Sequence, residues 1–146
     1  MTIYVDADAC PVKKEIVQVA SKLNIPVIML MDISHIYKDG YSTVIIVDQG
    51  KDAVDMALVN KAQKGDIIVT QDYGVATMSL AKGAFAINQN GRIYSEENID
   101  RLLFERHISQ KQRRAGKKGP RHKKRKKNDN SFFLQQFEKL CIQAGY

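Results

Sequence analysis

The sequence predicts an α/β fold, a parallel doubly wound sheet of about five strands flanked by helices. Three observations carry this. Short apolar runs rich in β-branched residues alternate with longer segments of helical hydrophobic spacing. The strand runs are apolar on both faces, as in Val44-Ile45-Ile46-Val47 and Ile67-Ile68-Val69, which suits strands covered by helices on each side. At 146 residues the chain has the length of one domain with its own core.

The elements follow in order. Residues 2–6 read as a short buried strand. Pro11 suits a first helical turn, where its missing N–H is no loss. The helix then runs to Leu23 with Val12, Ile16, Val19, Ala20 and Leu23 on one face, and Asn24 stops it. Residues 26–31 form a second strand with Pro only at its start. Residues 32–42 are polar, contain Gly40 and read as a loop whose acids, Asp32 and Asp39, are solvated. Residues 43–48 are a third strand and residues 51–63 a helix with Val54, Ala57, Leu58 and Ala62 inward. Residues 66–70 are a fourth strand, with Asp66 read as another solvated acid. Residues 73–82 are a short helix ended by Gly83, and residues 85–87 a fifth strand. Asn90-Gly91 is a turn signal leading to Ile93-Tyr94. Ser95 caps the next helix, with Glu96 and Glu97 in its first turn. Residues 131–144 are a last amphipathic helix with Phe133, Phe137, Leu140 and Cys141 on one face. Residues 1–110 are thus expected as the α/β domain, 111–130 as a basic loop and 131–146 as a C-terminal helix packing on the domain.

Charge is unevenly spread. The net charge is +7, yet between Lys111 and Lys127 stand 11 Lys or Arg and no acid. The remainder holds 12 basic and 16 acidic residues, a net −4. An acidic body that holds cations beside a segment that holds phosphates suits a nucleic acid enzyme. A solvated charge run is the plainer alternative. Hydrophobic content of 44% is ordinary, and no run nears the roughly 20 apolar residues of a membrane span. The first residues lack a signal-peptide layout, and only Cys10 and Cys141 occur, so a reduced cytoplasmic protein is expected. Both cysteines read as small buried residues. His35, His107 and His122 lack zinc-ligand spacing. No phosphate-binding glycine loop is present.

Acids cluster by position. Asp6, Asp48 and Asp72 each follow a strand run, and ligands of open α/β sheets bind beyond strand carboxyl ends. Asp6 and Asp8 point to one side if the extended backbone continues. Asp52 and Asp55 share a face near a helix start on the same edge. Such carboxylates suit Mg²⁺ or Mn²⁺, which favour hard oxygen ligands. Capping or turn formation is the alternative role for each, with Asp8 suited to cap the first helix and Asp52 to a helix N-terminus.

At these residues a resemblance emerges. Asp6-Ala7-Asp8-Ala9-Cys10-Pro11-Val12-Lys13, Asp48-Gln49-Gly50-Lys51-Asp52-Ala53-Val54-Asp55 and Gly65-Asp66-Ile67-Ile68-Val69-Thr70-Gln71-Asp72 resemble the bacterial YaiI/YqxD family over nearly the whole chain. That family in turn resembles the PIN-like and NYN nucleases. The resemblance implies a PIN-like fold and a Mg²⁺- or Mn²⁺-dependent ribonuclease. It places the catalytic roles on Asp6, Asp55 and Asp72, and metal ligation on these with Asp8 and Asp52 as auxiliary acids. Arg113-Arg114-Ala115-Gly116 and Gly119-Pro120 are similar to the family's C-terminal elements, whereas residues 123–127 are more basic than that pattern.

Candidate phosphate contacts are Arg113, Arg114, Lys117, Lys118, Arg121, Lys123, Lys124 and Arg125. The segment has no aromatic, so it predicts salt-dependent, sequence-tolerant binding, with RNA as the expected partner and no membrane association. Two other functions remain open from the residues alone. One is a non-catalytic RNA- or ribosome-binding protein. The other is a phosphatase with an aspartyl nucleophile, since Asp6-Ala7-Asp8 resembles the haloacid dehalogenase D-x-D motif. Nothing in the sequence fixes the oligomeric state.

Overall fold

The computed structural model describes residues 1–8, 10–32, 37–47, 53–116 and 125–145. Among the described residues eleven elements follow in order: β1 (Ile3–Asp6), α1 (Lys13–Leu23), β2 (Val27–Asp32), β3 (Thr43–Val47), α2 (Ala53–Lys61), β4 (Ile67–Val69), α3 (Tyr73–Ala81), β5 (Phe85–Ile87), β6 (Ile93–Tyr94), α4 (Glu96–Arg114) and α5 (Lys127–Gln143). The sheet order is β3-β2-β1-β4-β5-β6. Strands β1 to β5 pair in parallel, and β6 pairs antiparallel with β5. The expected five strands thus become six, because the turn after Ile87 returns Ile93-Tyr94 to the sheet edge.

Two cores lie on opposite sides of the sheet, as alternating side chains demand. On one side Ile3, Val5, Val27, Met29 and Val69 meet Ile16 and Val19 of α1 and Phe133, Phe137 and Leu140 of α5. On the other, Leu30, Ile68 and Ala86 meet Val54 and Leu58 of α2, Val75 and Ala76 of α3, and Ile99 and Leu102 of α4. The rings of Phe133 and Phe137 stack at 5.3 Å. Cys10 and Cys141 are buried free thiols.

Local chemistry ends α1 and opens α4 where expected. Asn24 takes a left-handed φ of 57° as the C-cap of α1. Ser95 Oγ accepts the N–H of Asn98, and Asn98 Oδ1 accepts that of Ser95, a reciprocal cap that opens α4.

Four expectations change. β3 is apolar from Val44 to Val47 yet lies at the sheet edge, with Ile46 47% exposed, because an apolar run does not distinguish a central from an edge strand. Helix α4 continues to Arg114, where a loop is expected from residue 111, since Lys, Gln and Arg are good helix formers. Helix α5 starts at Lys127, with Asp129 accepting the backbone N–H of Lys126. Asp66 is buried, accepting the N–H groups of Thr2 at 3.0 Å and Gln63 at 2.9 Å, so it ties the start of β1 to the approach to β4.

Two loop acids also have structural partners. Asp32 ends β2, and its N–H is bound by Asp8. Asp39 accepts from Tyr37 Oη, Tyr41 N and Ser42 N at 2.7, 2.8 and 2.6 Å. Burial raises its pKa, but these bonds outweigh burial and hold the carboxyl below its ordinary value.

Candidate functional site

The strand order reverses between β1 and β4. From β1 the chain builds outward through β2 and β3, then returns to place β4 on the other side of β1. Ligands of open α/β sheets bind at this switch point, beyond the strand carboxyl ends. Asp6 is the last residue of β1, and Thr70 to Asp72 follow the end of β4. The register Val5↔Val69 brings Asp6 beside Thr70. The Thr70 hydroxyl donates to Asp6 Oδ2 at 3.3 Å and accepts the Asp72 N–H at 3.1 Å.

Four of the sequence candidates gather here. Burial pushes the Asp6 carboxyl up to about 6, and repulsion from Asp55 pushes next hardest. The Thr70 hydrogen bond opposes them, and Asp8 and Asp72 add further repulsion. Each acid also has a local reason for its place. Asp55 lies in the first turn of α2, which carries it from the end of β3 back over the sheet. Asp72 is the N-cap of α3, its Oδ1 accepting the Val75 N–H at 3.0 Å. Asp8 accepts the Asp32 N–H at 3.2 Å and so clamps the ends of β1 and β2. It does not cap α1, whose N-cap is Val12 without a side-chain bond.

Asp55 and Asp72 also border a cleft of about 350 Å³ between α2 and α3. Met56, Val59 and Asn60 line one side, and Gly74, Val75 and Met78 the other. Sequence reasoning missed this wall. Its signal was Met56 beside Asp55 and Met78 on the outer face of α3, methionines that are 63% and 58% exposed.

The donor set is all carboxylate oxygen, chemistry that fits a hard divalent ion. Among the described residues, no three His, Cys, Asp or Glu side chains are grouped as they stand to hold one. Asp48 and Asp52 lie outside the described residues. Asp6, Asp8, Asp55 and Asp72 are the candidate acids among the described residues that could turn toward one.

The basic candidates divide. Arg114 ends α4 and is exposed. Arg113 is helical, with its side chain outside the described part, and Lys117, Lys118, Arg121, Lys123 and Lys124 lie outside the described residues. Arg125 is spent on the protein: Nε bonds Asn130 Oδ1 at 2.6 Å, Nη1 bonds Asn90 Oδ1 at 2.8 Å and Nη2 bonds the Gln89 carbonyl at 2.7 Å. Among the described residues, no helix is long and apolar enough to cross a membrane.

Comparison with known proteins agrees with the sequence blocks. The family described as "Uncharacterized BCR, YaiI/YqxD family" matches residues 4–143. A UPF0178 protein of Ruminiclostridium cellulolyticum is 62% identical over 133 residues, 90% of this chain and 87% of that one. A UPF0178 protein of Clostridium acetobutylicum is 50% identical over 148 residues, 99% of each chain. One of Natranaerobius thermophilus is 43% identical over 143 residues, 98% of this chain and 97% of its own length. No solved structure matches the chain. With nearly its whole length matched, this chain belongs to the YaiI/YqxD family.

Proposed function

We propose that this protein is a Mg²⁺- or Mn²⁺-dependent phosphodiesterase of PIN-like kind that cleaves RNA. The observation that carries the reading is the gathering of Asp55, Asp8 and Asp72 around Asp6, whose carboxyl is lifted to about 6 by burial first and by their repulsion next. Carboxylates so placed at a topological switch point gain from a cation that relieves their repulsion. Asp6, Asp55 and Asp72 would hold the ion, with Asp8 and Asp52 as auxiliary acids. A divalent ion there would supply Lewis acidity and positive charge opposite a phosphodiester. The chain contributes the rest. Thr70 holds Asp6 in place through its hydroxyl. The N-terminus of α3 fixes Asp72 and favours negative charge near it. Arg113, Arg114 and the lysines and arginines of residues 117–124 are the phosphate contacts of the RNA strand, in a binding term that weakens as salt rises.

The test is Mn²⁺ titration calorimetry on wild type and Asp6→Asn/Asp72→Asn, followed by cleavage of labelled single-stranded RNA. Metal binding and cleavage that both vanish in the double variant are expected. Cleavage at the wild-type rate by the double variant would sink the assignment. RNA binding without cleavage, lost on deleting residues 117–127 and untouched by the Asp substitutions, would replace it with non-catalytic RNA binding. A phosphoryl group trapped on Asp6 would replace it with the aspartyl-nucleophile phosphatase.

A further inference from the structure

A second cleft opens beside the acidic site on the same sheet edge. It has a volume of about 510 Å³ and is lined by Tyr73, Asn88, Asn90, Arg92, Phe132 and Gln136, with Gly91 at its floor. Its position follows from the topology. β5 runs parallel to β4, so the turn after Ile87, which carries Asn88 to Arg92, emerges at the edge that bears Asp6 and Asp72. β5 is one strand from β4 and two from β1, about 10 Å across at the usual strand spacing. Tyr73 directly follows Asp72, so the start of α3 separates the two clefts.

The cleft is held in shape by contacts within the described chain. Asn88 Oδ1 accepts the N–H groups of Asn90 and Arg92, both at 2.9 Å. Arg125 grips the same turn through the Gln89 carbonyl and Asn90 Oδ1. Gly91 is buried with φ 84°, and a Cβ there would stand 3.0 Å from Phe132 Cδ1 and 3.3 Å from Gln136 Cγ. Its missing side chain is what lets α5 lay Phe132 and Gln136 against the turn. Phe132 itself is 49% exposed, on the flank of a helix whose core face is Phe133, Phe137 and Leu140. Arg92 is exposed and forms no ion pair among the described residues.

A half-exposed aromatic ring, amides that both donate and accept, and an arginine make up a recognisable chemistry. Bases of single-stranded nucleic acid stack on aromatic rings and bond amides with their edges, and arginine meets their phosphates. The volume lies within the range of small-ligand pockets. We propose that this cleft is a nucleobase subsite for a strand whose neighbouring phosphate lies at the acidic edge. Phe132 stacks the base, Asn90 and Gln136 bond its edge, and Arg92 faces the backbone. The inference rests on the nucleic-acid part of the proposed function and is independent of cleavage.

The test is fluorescence anisotropy of a labelled single-stranded RNA ten-mer with EDTA present, so that no metal or cleavage enters. Phe132→Ala is expected to weaken binding by roughly 5- to 150-fold, the range for loss of one stacked base. Phe132→Tyr is expected to retain wild-type affinity, and Arg92→Ala to weaken binding with a shallower salt dependence. Blunt double-stranded RNA, whose bases are already stacked, is expected not to discriminate Phe132→Ala from wild type. Thermal melts confirm that each variant folds. Unchanged ten-mer affinity in both Phe132→Ala and Arg92→Ala overturns the subsite, even if the wild type cleaves RNA in Mn²⁺. Binding of AMP without binding of the ten-mer overturns the strand assignment. Loss of ten-mer binding in Phe132→Ala by a protein that never cleaves supports the subsite and removes only the nuclease reading.

Discussion

The hydroxyl of Thr70 donates to Oδ2 of Asp6 across 3.3 Å, joining the ends of β4 and β1 where the strand order reverses. Thr70 is 2% exposed, and the same hydroxyl accepts the N–H of Asp72. Its bond to Asp6 is the interaction that lowers the Asp6 pKa against burial and three like charges. Thr70→Val keeps the shape and removes both bonds. It is expected to raise the Asp6 pKa above about 6 and to cost about 1–2 kcal/mol, largely from the stranded Asp72 N–H. Carboxyl-detected NMR titration reads the first effect and urea denaturation the second. An Asp6 pKa that stays in place would show that Thr70 does not hold the charge.

Asp6 also predicts a pH dependence of folding. The folded state keeps its proton up to about pH 6, whereas an ordinary aspartate carboxyl titrates at 3.8. Between those values the folded state binds more protons than the unfolded chain, so this residue's contribution to stability falls as pH rises through the window. Asp6→Asn removes the falling part. Without metal it is expected to be more stable than wild type at pH 7.5, on the order of 2 kcal/mol, and to match it near pH 4. Melts at the two pH values check the difference. Millimolar Mn²⁺ is expected to shrink the advantage of Asn, because a cation favours the charged carboxylate.

Asp66 predicts a purely structural loss. Its two oxygens accept from Thr2 and Gln63, and the residue is 6% exposed. Asp66→Asn keeps the volume but turns an amide donor toward one of those N–H groups. A destabilisation of about 2 kcal/mol is expected in urea, with Mn²⁺ affinity unchanged. An altered metal affinity would mean that the start of β1 is coupled to its far end.

These three residues mark how far the sequence could be read. Asp6 and Asp72 were legible because each closes an apolar strand run, and a parallel sheet sends all such ends to one edge. Asp66 opens a run instead of closing one, and its burial depends on the tertiary approach of Thr2, 64 positions away. The edge position of β3 was hidden for a related reason, since pairing order is not written in the composition of a strand. The helical stripes were plain: Ile16, Val19 and Ala20 of α1 and Phe133, Phe137 and Leu140 of α5 all turn inward. The clefts were not, because their walls join α2 to α3 and the turn after β5 to α5.

Arg125 separates a structural role from a phosphate contact. In sequence it stands within a basic run, yet its three guanidinium nitrogens bond Asn130, Asn90 and Gln89, joining the start of α5 to the turn after β5. Planar, divergent donors are needed to reach all three, and a lysine ammonium does not reproduce that fork. Arg125→Lys and Arg125→Ala are therefore expected to lose similar stability, about 1–2 kcal/mol, and to show faster amide hydrogen exchange over residues 89–92. A phosphate contact predicts a different pattern, in which lysine retains RNA affinity and its salt dependence while alanine reduces both. Melts, exchange and anisotropy on the pair of variants decide the matter. Full rescue of stability by lysine would show that charge, not the hydrogen-bonding fork, is what position 125 supplies.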